Sequence, residues 1–177
     1  MPTITERCGK INFKEKQGLE CVALRVDKTL HAIRQKYAHY GIERPAYAYV
    51  KADSGTYGMG IMTVQSGEEI YDINKKNRNK MNVIKEGVSN TEVIIQEGIP
   101  TFDAIDGDAA EPVIYLVGAQ VVGKVWRINE GRGVEASLNA GGMRFAPFDE
   151  AAFASESGVG LIAQLATLAA AYERYDH

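Results

Sequence analysis

The chain has 177 residues, 45% of them hydrophobic and 24% charged, with a formal net charge of −3. That length fits one domain, or one domain with a small lobe, and supports a real core. The charge balance argues against a general nucleic-acid binder, which carries a basic surplus, and no apolar run reaches the roughly 18 residues of a membrane span.

The opening "MPTITERCGK" lacks the apolar stretch of a signal peptide, so a cytoplasmic protein is expected. Cys8 and Cys21 are too few for a disulfide framework or a metal cluster and are expected as two reduced thiols. From Gly18 to Tyr40 the apolar positions Val22, Val26, Leu30, Ile33 and Tyr37 recur every three or four residues, which predicts one amphipathic helix stopped by Gly41. "AYAYV" (Ala46 to Val50) and "GIMTV" (Gly60 to Val64) read as neighbouring strands. Ser66 and Glu69 form an S-x-x-E capping box, which predicts a helix from there to about Lys80, with Ile70, Ile73 and Asn77 on its face. "TEVIIQE" (Thr91 to Glu97) is a third strand, "GIPTFDAIDGDAAE" a turn-rich linker, and "PVIYLVGAQVVGKVWRI" two strands around Gly118. Residues between Gly131 and Gly158 read as irregular, and the Ala-rich run Gly160 to Tyr175 as a closing helix. This order is α+β, with mixed or antiparallel sheets and helices, divisible into two lobes.

The chemistry-bearing stretch is "YVKADSGTYGMGIMTV", Tyr49 to Val64. Lys51 ends an apolar run, and Gly55, Gly58 and Gly60 follow within nine residues. Glycines let a ligand approach backbone N–H groups, successive N–H groups cradle anions, and a lysine adds a full charge. The spacing fits neither G-x-x-x-x-G-K-[ST] nor G-x-G-x-x-G. A glycine-bearing hairpin turn beside a surface lysine would account for the pattern as well. Further along, Gln96 and Glu97 end a strand where an amide or carboxylate could meet an adenine amino group. Arg127 closes the strand "VVGKVWRI", with Lys124 on the opposite face, and suits bidentate phosphate contact. Asn139 in "SLNAGG" offers an oxygen to a magnesium ion. The basic run Lys75, Lys76, Arg78 and Lys80 reads as a solvated helix face.

Taken in order, these features resemble an ATP-grasp domain. The segments "VKADSGTYGMGIMTV", "NRNKMNVIKEG", "EVIIQEGIPT", "AEPVIYLV", "VVGKVWRI" and "LNAGGMRF" resemble the C-terminal ATP-grasp part of the proteobacterial-type glutamate–cysteine ligase, from about Ile11 to Phe148. The resemblance implies a single ATP-grasp-like domain over residues 1–177, with one lobe near 11–97, a second over 98–177, and a nucleotide cleft between them. It implies that Lys51 holds ATP phosphates under a lid of Gly55, Gly58 and Gly60. Gln96 and Glu97 would meet adenine. Arg127 would stabilise the transferred phosphoryl group, and Asn139, with Glu111 as a second candidate, would bind Mg²⁺. A further lysine upstream of the loop would be Lys14 or Lys16. The implied partners are glutamate, cysteine and ATP, with neither nucleic acid nor membrane, and a homo-oligomer stays open. The implied reaction is γ-glutamylcysteine synthesis through an acyl phosphate, the alternative being an ATP-binding module without chemistry. Two departures stand out: members of that family are more than twice as long, and the late E-x-N metal pair of ATP-grasp enzymes is absent.

Overall fold

The computed structural model describes residues 3–53, 60–82, 90–131, 143–148 and 158–175. The protein is α+β, and its described strands pair antiparallel throughout. The described residues fall into two compact units, one within Met1–Pro100 and the other within Thr101–Val134 and Gly141–His177.

In the first unit, strands β1 (Thr5–Gly9), β2 (Ala48–Ala52), β3 (Ile61–Val64) and β4 (Glu92–Glu97) form a sheet in the order β1-β4-β2-β3. Helix α1 (Leu19–Tyr40) covers one face. The expected stripe is its buried side: Val22, Val26, Leu30 and Ile33 are fully buried, with Val50, Val93 and Ile95 of the sheet in the same cluster. Each such side chain contributes roughly 1.5–3 kcal/mol on burial. Gly41 ends the helix at φ +65, where its N–H reaches back to the last turn.

Because side chains alternate across a strand, the other face of this sheet carries Tyr49 and Lys51 of β2, Ile61 and Thr63 of β3, and Ile94 and Gln96 of β4. Position 97 therefore falls on the core face and position 96 on the other.

Three expectations are corrected in this unit. The helix read from Ser66 to Lys80 is two pieces, a 3₁₀ turn at Glu68–Ile70 and helix α2 (Lys75–Asn82). Ser66 does not act as the cap: Glu69 accepts from the Gln65 N–H, and Asn74 starts α2 by accepting from the Asn77 N–H at 2.9 Å. Ile70 and Ile73 are buried as expected, whereas Asn77 is exposed. Strand β1 was not anticipated. Its inward positions are Glu6 and Cys8, so it shows no apolar alternation. Glu6 is paired with Arg25 and Lys28 of α1. Cys8 and Cys21 are not two free thiols but a disulfide joining β1 to α1, with Cα atoms 6.6 Å apart.

The second unit is a sheet in the order β5-β6-β7-β8: Ala104–Ile105, Asp108–Val117, Gln120–Asn129 and Met143–Pro147. Helix α3 (Val159–Tyr175) packs against β6. The expected strands around Gly118 are β6 and β7. The supposed linker holds β5 and a tight hairpin instead. Asp106 and Gly107 both have positive φ, +55 and +87, as a two-residue Asp-Gly turn requires. The stretch read as irregular contributes β8, paired with β7. Among the described residues no helix is long and apolar enough to cross a membrane.

Candidate functional site

Two of the expected residues meet directly. Lys51 faces Ile94 and Ile61 in the β2 register, and Gln96 faces Tyr49. The diagonal brings Lys51 Nζ to Gln96 Oε1, donating at 2.6 Å, and the same ammonium stands 5.0 Å from the centre of the Tyr49 ring. A cation near an aromatic face gains electrostatic attraction. Lys51 is half-buried, and burial lowers its pKa from the usual lysine value. Among the described residues Lys51 has a neutral acceptor and no carboxylate against it, and a partly desolvated cation so placed is suited to an incoming anion. Tyr49 was not singled out from the sequence, although its place two residues before Lys51 puts both on one face of the strand.

Glu97 looks the other way. It is 3% exposed, and its two oxygens accept from Lys36 of α1 at 2.8 and 2.9 Å; Oε2 also accepts from the Ile4 backbone at 3.2 Å. Its carboxylate is thus engaged on the core side, and Lys36, 61 positions away in sequence, is a partner that spacing alone does not reveal. The next residue, Gly98, packs so closely on buried Tyr47 that an added Cβ would lie 2.1 Å from the ring. The end of β4 is held fast from that side.

Gly60 has φ +65 and a would-be Cβ 2.8 Å from Ala52 Cβ, so both backbone conformation and contact favour glycine at the start of β3. Ile61 also borders a cleft of about 400 Å³ between β3 and α2, lined by Thr63, Asp72, Asn77 and Lys80 among others. Gly55, Gly58 and Asn139 lie outside the described residues. Lys14 and Lys16 are exposed on the turn between β1 and α1, Lys16 at φ +58.

In the second unit Arg127 and Glu111 stand directly opposite on β7 and β6 and form an ion pair. Arg127 does not end its strand, which continues to Asn129. Phe145 of β8 is its other neighbour. Both members of the pair are partly exposed. Among the described residues no three His, Cys, Asp or Glu side chains group into a cation cage. Glu111 is engaged by Arg127, and Asn139, the other residue expected at magnesium, lies outside the described residues.

Known proteins supply the comparison. A family model described as glutamate-cysteine ligase matches residues 1–174. A crystal structure of a protein assigned as a gamma-glutamylcysteine synthetase, from Methylobacillus flagellatus KT, superposes with a TM-score of 0.77 at 41% identity. The match covers 98% of this chain and 44% of that one, so the chain spans less than half the length of that relative. Among curated proteins there is no match. The chain belongs to the glutamate–cysteine ligase family.

Proposed function

We propose that this chain carries the ATP-handling part of γ-glutamylcysteine synthesis on an ATP-grasp-like scaffold. The glutamate γ-carboxylate attacks the γ-phosphorus of ATP, the bond to ADP breaks, and an acyl phosphate forms. The cysteine amine then attacks the acyl carbon, phosphate leaves with the bonding electrons, and the amine gives up its proton. Little covalent chemistry falls to the protein in such a transfer; it positions the reactants and offsets charge.

The observation that carries this reading is the Lys51–Gln96 pair on the sheet face away from α1. Lys51 is held at 2.6 Å by a neutral amide that a phosphate oxygen can replace without separating opposite charges. Gln96, so released, is free to hydrogen-bond a base edge. Glu97 contributes through the fixed end of β4 rather than through its carboxylate, which Lys36 occupies. Arg127 is assigned to the transferred phosphoryl group, which requires it to leave Glu111. Magnesium is expected with the nucleotide, with Asn139 and Glu111 as its candidate ligands, and no step is assigned to it. The expected substrates are glutamate, cysteine and ATP, and the expected compartment is the cytoplasm.

The test is phosphate release from ATP in the presence of Mg²⁺, glutamate and cysteine, with a glutamate–cysteine ligase of measured activity as the control. Glutamate-dependent release that Lys51→Ala removes is the expected result. A second reading, an ATP-binding module without turnover, is favoured by the 44% coverage of the longer Methylobacillus relative. Calorimetric ATP binding with no phosphate release would select it, and no binding at all would defeat both.

A further inference from the structure

Three segments of the first unit enclose a pocket of about 220 Å³. Lys10, Ile11, Asn12 and Gln17 come from the turn between β1 and α1, Asn82 from the end of α2, and Asn90 and Thr91 from the approach to β4. Backbone bonds tie these segments together. The Ile11 N–H donates to the Thr91 carbonyl at 3.0 Å, and the Asn90 N–H to the Asn82 carbonyl at 2.8 Å. Asn12 and Gln17 exchange a reciprocal pair. Ile11, Asn82 and Asn90 are buried and make the floor, 2, 8 and 2% exposed. Lys10, Gln17 and Thr91 are exposed and make the rim.

The lining carries one sign of charge. Asn90 is spent on the fold, donating to the Met81 carbonyl at 3.2 Å and accepting from the Glu92 N–H at 3.4 Å. Asn12 accepts from the Glu15 N–H at 3.1 Å, which leaves its NH₂ to donate. Asn82 is more than nine-tenths buried, and its side-chain amide has no hydrogen-bond partner among the described residues. A buried amide left so is costly and calls for a partner. Lys10 has no ion-pair partner among the described residues either. It holds φ +60, a conformation that a non-glycine residue keeps only where its surroundings impose it. No carboxylate is among the described lining residues: Glu15, Glu20 and Glu92, their neighbours in sequence, are exposed and stand outside the pocket wall. Helix α1 begins just beyond Gln17 with no side chain capping it, and its N-terminal partial charge has the same positive sign.

The ligand class follows from this inventory. One lysine with no opposing carboxylate balances one negative charge, whereas a polyphosphate brings several. The amide NH₂ groups add donors for a carboxylate, and the amide oxygens of Gln17 and Asn82 remain to accept from an ammonium. The volume falls below the about 300–1,000 Å³ of drug-sized ligand sites, so the ligand is small. We propose that this pocket binds a small amino acid, its carboxylate accepting from Lys10 and Asn82. The site needs no ATP at Lys51; only naming its occupant as a substrate rests on the ligase reading.

The test follows the side-chain amide signals of Gln17 and Asn82 by NMR in the isotope-labelled full chain. The ligands are L-glutamate, L-serine and inorganic phosphate, each titrated alone. Serine has the shape of cysteine without a thiol that would reduce the Cys8–Cys21 disulfide. At least one of the two amino acids should move both signals saturably. Lys10→Gln, a change at the exposed rim, should weaken that binding about tenfold, the effect of one charge-assisted contact, with circular dichroism unchanged. Lys51→Ala should leave it intact. Saturable shifts in a chain that binds no ATP support the pocket and count against the ligase reading alone. The absence of saturable shifts with both amino acids overturns the proposal. So does an affinity that Lys10→Gln leaves unchanged. Phosphate moving both signals where neither amino acid does also overturns it, and makes the pocket an inorganic-anion site.

Discussion

Lys51 donates to Gln96 at 2.6 Å across the β2–β4 ladder, on the face of the sheet that α1 leaves open. Changing Gln96 to Glu keeps the geometry but adds a negative charge beside the lysine. The ammonium then has a salt-bridge partner and an incoming phosphate meets repulsion. A charge-assisted contact is worth about 1.5–3 kcal/mol, so ATP affinity should fall about tenfold or more while thermal stability holds. Lys51→Ala should produce a similar loss. Calorimetry showing unchanged affinity in both variants would remove Lys51 from the phosphates.

The Lys36–Glu97 pair anchors the other side of the same strand end. Glu97 has a side chain 2% exposed, and Lys36 is its cationic partner. Removing one member of a buried pair leaves an uncompensated charge and typically costs about 3–5 kcal/mol. Lys36→Met and Glu97→Leu should each lower the urea midpoint strongly. The double variant should recover part of the loss, because apolar replacement of both partners can be close to neutral. If the two losses simply add, the two residues do not act as a pair.

Glu6 gives the acid side of the stability curve. The hydrogen bond from Lys28, with the charges of Lys28 and Arg25, holds its carboxyl below the ordinary value of 4.5 despite opposing desolvation. The folded state therefore releases this proton more readily than the unfolded chain. The stabilisation is present above the ordinary carboxylate value and is lost as pH falls through the lower folded value. Glu6→Gln should be less stable than the parent near neutrality, and the two should converge in strong acid. A gap that stays constant with pH would assign the loss to something other than ionisation.

The disulfide gives a redox prediction. Cys8 and Cys21 are 13 residues apart, and closing a loop of about 15 residues is worth about 3 kcal/mol in the chain-entropy account. Thiol titration in denaturant should find no free thiol in the oxidised protein and two after reduction, with a lower melting temperature for the reduced form. Two free thiols before reduction would contradict the cross-link.

Legibility followed the physics of each segment. Helix α1 and strands β2 and β4 have clean periods because each buries one apolar face, and their strand boundaries fall within two residues of the sequence reading. Strand β1 escaped because its inward side holds Glu6 and Cys8, whose partners sit on α1 and cannot be inferred from local pattern. The helix before Lys80 was misjudged because Asn74 outcompetes Ser66 as a cap. The Asp106-Gly107 hairpin was readable from its dipeptide alone, a turn signal overlooked among other turn residues. In the candidate site, sequence order brought Lys51 and Gln96 forward, but which of Gln96 and Glu97 shares the lysine's face follows only from strand register.

Two glycines separate backbone strain from crowding. Gly41 sits at φ +65 with nothing within 4 Å of a would-be Cβ, so Gly41→Ala meets strain alone, about 1–2 kcal/mol. Gly98 has no positive φ, but its would-be Cβ lies 2.1 Å from the buried Tyr47 ring, so Gly98→Ala is pure overpacking. Such insertions cost about 1–3 kcal/mol or more, and the rigid ring places this one toward the upper end. The two costs answer to different remedies. Gly41→Asn should recover much of the first, since Asn tolerates the left-handed region. Tyr47→Leu should make the second change cheaper than it is beside tyrosine, a coupling that a double-mutant cycle in urea measures directly. Additive losses at Gly98 and Tyr47 would mean that the ring does not set the limit. A Gly98→Ala loss below that of Gly41→Ala would mean that the strand end yields, and with it the rigid support proposed for Gln96.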